Sequence, residues 1–183
     1  MVMSLAWLLA PPASHAGTIE ETAGLCAACH GETGIPQDRS TPIIWGQSQG
    51  YLYLQLRDYK RGSRRDEAMS AVVETLERDD MMALAAYFSQ RPWPDLRQPA
   101  AADAAAARAV RASQSIGCTG CHLDQYQGDG TVPRLAGQSE AYLLRTMAAF
   151  RARSRGNNPG MSDLMNAAAE GDLPALAAYL AGR

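Results

Sequence analysis

Two copies of one pentapeptide contain every cysteine of this 183-residue chain. The first copy reads CAACH and ends at His30, and the second reads CTGCH and ends at His122. Two thiols one helical turn apart can form thioether bonds with the two vinyl groups of a haem, and the adjacent histidine then places one axial nitrogen under the iron. The sequence therefore predicts two covalently attached haem c groups. The predicted attachment residues are Cys26, Cys29 and His30 in the first copy and Cys118, Cys121 and His122 in the second.

Cysteine pairs of this spacing have other uses. A single pair can act as a redox dithiol, and two pairs can bind zinc as four thiolates. An exported chain with four cysteines can also form two disulfides. None of these uses explains why a histidine follows both pairs at the same position. We therefore expect haem rather than zinc or disulfides.

The second axial ligand of each iron has to come from elsewhere in the chain. The only histidine outside the two motifs is His15, which falls in a predicted targeting segment. Methionine is the usual alternative, since its thioether suits ferrous iron and raises the reduction potential. When the two halves are aligned, Met69 and Met161 each lie 39 residues after the motif histidine. The predicted axial pairs are His30 with Met69 and His122 with Met161.

Other methionines compete for these roles. Met165 lies one helical turn beyond Met161 and stays an alternative ligand of the second iron. Met81 and Met82 lie in the apolar run ERDDMMALAAYF, where core packing is the expected role. Met147 is expected to pack in the core for the same reason.

The two halves repeat each other with a period near 92 residues. Gly46-Gln47-Ser48 recurs as Gly137-Gln138-Ser139, and Ala-Ala-Tyr recurs near the end of each half. A repeat of this length that preserves the ligand spacing indicates two tandem domains of one type. The expected organisation is a signal peptide at residues 1–16, a first domain at 17–91, a proline-rich linker at 92–103 and a second domain at 104–183.

The local pattern predicts an all-α fold. Ser48 and Ser139 are expected to begin amphipathic helices that end at Gly62 and Gly156, and no segment shows the alternation of a strand. Each domain is too small to bury a large apolar core of its own. We therefore expect the haem to fill the centre of each domain and the haem-free chain to fold poorly.

Residues between each motif and its methionine are candidates for the surroundings of the haem. Pro42 and Pro133 lie 12 and 11 residues after the axial histidines, and a backbone carbonyl there can accept the ring N–H of the histidine. Several polar side chains are candidates for hydrogen bonds to the haem propionates. These are Gln47, Gln138, Tyr51, Tyr142, Trp45 and several arginines, of which Arg134, beside Pro133, is one candidate.

The N-terminus and the charge restrict the cellular setting. The start MVMSLAWLLAPPASHAG is apolar, is broken by two prolines and has a small-residue cleavage site, which indicates a secretory signal and a periplasmic protein. Its positive n-region is missing, so a longer signal, a short membrane anchor or a disordered terminus stays open. The formal net charge of −2 and the lack of a basic tract exclude a nucleic-acid partner. Peripheral membrane association stays possible.

These segments together resemble the cytochrome c4 family, the tandem di-haem cytochromes of the bacterial periplasm. The similar segments include CAACHG, GQSQGYLYLQLRDYKRGSR, PRLAGQSEAYLL and FRARSRGNNPGM, and they cover nearly the whole mature chain. The resemblance implies two class I cytochrome c domains packed face to face, each wrapped around one haem c. It also implies His/Met ligation at both irons and electron delivery to a terminal oxidase. One departure is Leu123, which follows the second motif where the family usually has a small residue.

The expected function is electron transfer rather than catalysis, because two six-coordinate irons leave no position for a substrate. Expected partners are redox proteins, namely a terminal oxidase, a cytochrome bc1-type complex or a dehydrogenase. A related di-haem architecture occurs in the cytochrome subunit of flavocytochrome c sulfide dehydrogenases, so a subunit role in a catalytic complex is an alternative. A di-haem enzyme with a labile iron ligand is a third hypothesis.

Overall fold

The computed structural model of the protein describes residues 18–169 and 171–183. The predicted signal peptide, residues 1–16, lies outside the described residues. Within them the chain is helical, as predicted, and the only β feature is an isolated bridge between Asp129 and Val132. None of the described helices is long and apolar enough to cross a membrane. The helices are α1 (Ile19–His30), α2 (Gln49–Lys60), α3 (Glu67–Val73), α4 (Arg78–Ser89), α5 (Asp103–Ile116), α6 (Thr119–His122), α7 (Glu140–Arg151), α8 (Pro159–Ala167) and α9 (Asp172–Ala181).

The helices form two groups, each around a hydrophobic core of its own. The first core is built by α1 to α4 and the second by α5, α7, α8 and α9. The last helix of each group lies at the centre of its core, where Leu84 of α4 and Leu176 of α9 are each 1% exposed. Two separate cores of this kind agree with two tandem domains. The boundaries at 17–91 and 104–183 stay predictions.

The methionines expected in the cores divide between core and surface. Met81 and Met147 are buried, as predicted. Met82 is 43% exposed, so the prediction of core packing is wrong for this residue. Adjacent residues of a helix point about 100° apart, so the turn that directs Met81 into the core directs Met82 to the solvent.

The helix that leads into the haem motif differs between the two halves. In the first half α1 runs without interruption through the motif to His30. In the second half α5 stops at Ile116, Gly117 adopts a left-handed conformation with φ of 79°, and the short α6 then carries the motif. Glycine suits this break because it takes a positive φ without steric cost.

The helices after the Gly-Gln-Ser segments begin as predicted. Ser48 and Ser139 directly precede α2 and α7. Their ends agree only in part, because α7 stops at Arg151 and the positive φ that follows belongs to Arg153 rather than to Gly156. Arg153 is the repeat counterpart of Gly62, so the two halves turn at the same position with different residues.

The proline-rich segment between the cores is packed rather than free. The Trp93 ring lies under the Arg134 guanidinium, at 4.6 Å from its centroid. A Cβ atom at Gly46 would lie 3.0 Å from the Trp93 backbone nitrogen, and one at Gly137 would lie 3.0 Å from the indole nitrogen. Trp93 is therefore held between equivalent turns of the two halves, and Leu96 nearby is also buried.

The residue after each motif histidine has a positive φ. Gly31 has φ of 84° and ψ of 141°, and Leu123 has φ of 65° and ψ of 168°. A leucine in that region is strained, because it is a conformation that only glycine adopts readily. The unusual residue after the second motif is thus a point of backbone strain next to His122.

Replacing Leu123 by glycine should therefore stabilise the protein. Relief of strain of order 1–3 kcal/mol, reduced by about 1 kcal/mol for the greater freedom of glycine in the unfolded chain, predicts a net gain of about 1 kcal/mol. The measurement is urea unfolding of the haem-loaded protein followed by circular dichroism. Gly31→Leu is the matched control and should destabilise strongly, since a Cβ there would lie 1.8 Å from the Ile35 carbonyl oxygen. A lower unfolding midpoint for Leu123→Gly would contradict the strain argument.

Candidate functional site

The first motif histidine is buried and fixed by a single hydrogen bond to the backbone. His30 ends α1, is 7% exposed and donates its Nδ1–H to the Pro42 carbonyl at 2.8 Å. A carbonyl can only accept, so the proton lies on Nδ1 and the lone pair on Nε2 is available to a metal. Burial lowers the pKa of His30, although the Pro42 carbonyl and Asp66 oppose that shift. The ring is therefore neutral at pH 7, which is the form that binds iron.

The second motif histidine has the same arrangement. His122 is 6% exposed and donates its Nδ1–H to the Pro133 carbonyl at 2.9 Å. Burial lowers its pKa, with the Pro133 carbonyl in partial opposition. The predicted hydrogen bonds from both histidines to the two proline carbonyls are thus confirmed.

The four cysteines are arranged as two equivalent pairs of free thiols. Cys26 and Cys118 are half-buried, whereas Cys29 and Cys121 are exposed. Burial raises the pKa of Cys26 and of Cys118, so both are neutral thiols rather than reactive thiolates. Among the described residues no three His, Cys, Asp or Glu side chains cluster as a metal site would need. The two pairs lie apart, each beside its own histidine.

The predicted methionine ligands occupy the same position of two equivalent short helices. Met69 is the third residue of α3, and its N–H is capped by Oδ1 of Asp66 at 3.2 Å. Met161 is the third residue of α8, and its N–H is capped by Oδ1 of Asn158 at 3.1 Å. Both side chains are half-buried at the edge of their cores.

The competing methionine has a different position. Met165 is the seventh residue of α8 and is 2% exposed within the second core. Its counterpart, the seventh residue of α3, is Val73, which is 1% exposed within the first core. Met165 therefore matches a packing residue in the other half, whereas Met161 matches Met69.

A polar cluster lies where the two halves meet. Arg64 of the first half donates to the Tyr142 hydroxyl of the second at 3.1 Å, and Arg155 of the second half donates to the Tyr51 hydroxyl of the first at 3.3 Å. The two arginines also share Oε1 of Gln55, at 2.8 Å and 2.9 Å. Arg64 and Arg155 occupy equivalent repeat positions, as do the two tyrosines, so the contacts are exchanged between the halves.

Two buried donors have no hydrogen-bond partner in the described structure, one in this polar cluster and one in the segment between the cores. They are Nη1 of Arg155 and Nε1 of Trp93. Burial alone would raise the pKa of Tyr142, but the charges of Arg64 and Arg155 outweigh it and lower that pKa to about 7. A buried donor without a partner, beside a second arginine, suits an anionic oxygen ligand. A haem carries two propionates, so the cluster fits that group, as do the histidines and thiols.

Some predicted propionate residues have another role. Gln47 and Gln138 are each 3% exposed and bond to the backbone of the opposite half. Trp45 packs over Gly34, where a Cβ atom would lie 2.7 Å from the indole ring. The sequence signal for the glutamines was the repeated Gly-Gln-Ser segment. Arg64 and Arg155 fall under the general expectation for arginines but were not singled out, although both follow a repeated serine.

Two named bacterial proteins are similar to this chain over most of its length. A cytochrome c4 of Pseudomonas aeruginosa is 31% identical over 183 residues, which cover 95% of this chain and 91% of that protein. A thiosulfate dehydrogenase electron acceptor of Stutzerimonas stutzeri is also 31% identical, over 90% of this chain and 82% of that protein. No protein-family model matches the chain.

Solved structures give the same result. The cytochrome c4 of Acidithiobacillus ferrooxidans superposes with a TM-score of 0.79 and 30% identity, over 88% of this chain and 99% of that one. The chain belongs to the cytochrome c4 family. It is therefore an electron carrier with two covalently attached haem c groups rather than an enzyme. The thiosulfate dehydrogenase of Marichromatium purpuratum superposes with a TM-score of 0.72 and 28% identity, over 85% of this chain and 36% of that one.

Separate attachment sites can be tested by removing one cysteine pair at a time. The double variant Cys26→Ala/Cys29→Ala should retain one covalent haem, because the second pair lies in a different half with a core of its own. Denaturing mass spectrometry of protein made with haem-maturation machinery measures the number of haems per chain. The matched variant Cys118→Ala/Cys121→Ala should also retain one. Two covalent haems in either variant would refute the assignment.

Proposed function

We propose that this cytochrome c4 family member is a periplasmic carrier that relays electrons between redox proteins, with histidine and methionine as the axial ligands of both irons. The proposed pairs are His30 with Met69 and His122 with Met161. The observation that carries this proposal is the shared register of the two methionines, each the third residue of a capped helix 39 residues after its histidine. Met165 is not proposed, because its counterpart Val73 packs in a core.

Closed coordination at both irons would account for electron transfer without transformation of a substrate. A bound haem c supplies reversible one-electron chemistry at iron. The buried histidines, fixed through Nδ1, hold one ligand in a single orientation. Ligation by Met69 and Met161 as well would leave no position for an exogenous ligand. A thioether also favours ferrous iron, which suits a carrier that accepts and donates at high potential.

The proposed electron acceptor is a terminal oxidase. Residues 17–93 contain eight basic and eleven acidic residues, whereas residues 94–183 contain nine basic and eight acidic residues. This difference in charge favours different partners at the two ends of the molecule and a contact that weakens with salt. The proposal is thus that one domain receives an electron and the other delivers it.

A second candidate function is that of a dedicated electron acceptor for a sulfur-oxidising dehydrogenase. It is favoured by the similarity to the thiosulfate dehydrogenase electron acceptor of Stutzerimonas stutzeri and to part of the Marichromatium purpuratum enzyme. In this role the dehydrogenase is the donor, and the oxidase can still be the acceptor. The two candidates therefore differ in the source of the electrons.

Ligation by Met161 predicts a specific response to substitution. Met161→Ala should open the second iron, so that the ferrous protein binds carbon monoxide at one haem, whereas the wild-type protein binds none. Met165→Ala is the matched control and should leave both irons closed, with a loss of about 2–5 kcal/mol of stability from the cavity. Optical titration with carbon monoxide measures both. Binding by Met165→Ala and not by Met161→Ala would reverse the assignment.

The partner can be identified by electron-transfer kinetics. Stopped-flow absorbance should show that the reduced protein is oxidised by membranes containing a terminal oxidase, at a rate that falls as salt rises. Thiosulfate dehydrogenase with thiosulfate tests the second candidate, which predicts rapid reduction of the oxidised protein. A protein with closed irons that exchanges electrons with neither partner would contradict both partner assignments and leave the ligand assignment intact.

A further inference from the structure

Each axial histidine is bonded to a peptide unit whose other side is held by the opposite half of the molecule. The Pro42–Ile43 peptide accepts the His30 Nδ1–H on its carbonyl oxygen at 2.8 Å. The N–H of the same peptide belongs to Ile43 and donates to Oε1 of Gln138 at 2.8 Å. Gln138 lies in the second half, so a continuous hydrogen-bonded path joins it to the histidine of the first haem.

The equivalent path exists in the reverse direction. The Pro133–Arg134 peptide accepts the His122 Nδ1–H at 2.9 Å, and its N–H donates to Oε1 of Gln47 at 2.8 Å. Gln47 belongs to the first half. The duplication has therefore produced two crossed paths, with the glutamine of each half directed to the histidine of the other.

Each glutamine is fixed by all of its hydrogen-bonding atoms. Gln138 also donates Nε2–H to the Ile43 carbonyl at 3.0 Å, and its Oε1 accepts the Ser139 N–H at 2.9 Å. Gln47 does the same with the Arg134 carbonyl, at 3.0 Å, and the Ser48 N–H, at 2.9 Å. Because both side chains are 3% exposed, no water competes for these bonds. The acceptor presented to the opposite peptide therefore has one orientation.

A peptide that donates through its N–H becomes a better acceptor at its oxygen, because hydrogen bonds in a chain polarise one another. A better acceptor draws the histidine proton more strongly and makes the imidazole a stronger ligand to ferric iron. Loss of the glutamine should weaken the ligand and raise the reduction potential of that haem. The affected haem is the one in the other half.

We propose that Gln138 is a positioning residue for the first haem and that Gln47 is a positioning residue for the second, so that each half tunes the reduction potential of the other. The proposal rests on His30 and His122 as axial ligands, as in the proposed function. It also implies that separating the halves would change both potentials. The side-chain hydrogen bonds of Gln47 and Gln138 do not lead to the motif histidine of the same half. The effect of each glutamine should therefore be confined to the haem of the opposite half.

The test is the pair of variants Gln138→Met and Gln47→Met in the full-length di-haem protein. Methionine keeps the length of the side chain and removes both hydrogen bonds to the backbone of the opposite half, one to an N–H and one to a carbonyl. Gln138→Met should raise the potential of the first haem alone, and Gln47→Met that of the second alone. Redox titration followed by NMR of assigned haem methyl groups measures each potential separately.

Amide hydrogen exchange gives a readout that does not depend on the haems. Gln138→Met should accelerate exchange of the Ile43 amide by roughly tenfold, the effect of losing one hydrogen bond, and leave the Arg134 amide unchanged. Gln47→Met should have the opposite pattern. If Gln138→Met does not fold, Gln138→Asn removes the same bonds because its amide is one methylene shorter.

The matched control is Gln98→Met. Gln98 also joins segments by its side-chain amide, with bonds to the Gln138 and Ala181 carbonyls and from the Glu140 N–H, but it does not contact Ile43 or Arg134. It should change neither potential. A shift at the haem of the same half, an equal shift at both haems or no shift in either variant would overturn the proposal. These outcomes are separate from failure of the ligand assignment, because that is read from carbon monoxide binding in the methionine variants.

Discussion

The structure depends above all on one hydrogen bond in each half, from Nδ1 of a buried histidine to the carbonyl of a proline 11 or 12 residues later. This bond selects the tautomer that leaves Nε2 for iron, and it requires the intervening loop to return to the histidine. This path of the loop back to the histidine favours glycine where the backbone has a positive φ or approaches another segment closely. Gly31 has a positive φ, and a Cβ at Gly128 would lie 2.4 Å from the Pro133 carbonyl carbon. The haem motif and the loop after it therefore form one unit.

Duplication of that unit has created an interface that neither half has alone. Equivalent residues exchange partners across it, as Arg64 with Tyr142 and Arg155 with Tyr51 show. Crossed contacts of this kind give each buried arginine a hydroxyl acceptor in the other half. They hold the halves in one relative position, because a buried polar group without its partner is costly. With two haems bound, a fixed arrangement of the halves would keep the two redox sites at a constant separation.

The longer helices were predictable from the sequence, whereas the short helices α3, α6 and α8 were not. The errors came at positions where contacts with neighbouring residues decide the structure. Ser48 directly precedes a helix, as the amphipathic pattern after it predicts. The end of α7 was placed at Gly156, yet Arg153 takes the left-handed conformation, since the repeat preserves the turn although the residue differs. Met82 was expected in the core because its apolar neighbours resemble core residues, but the direction of the helix sends it to solvent. The apolar character of neighbouring residues does not say which side of the helix faces the core.

The sequence by itself determined the chemistry, because thioether attachment needs two cysteines and a histidine at fixed spacing, and the repeat of that spacing sets the number of haems. It also shows that Met69 and Met161 follow their motif histidines by the same number of residues along the chain. Only the tertiary structure decided the role of Gln47 and Gln138. Both looked like propionate ligands, but their partners lie 87 and 95 residues away in the chain. Contacts of that separation depend on how two domains pack, and no local pattern of residues encodes them.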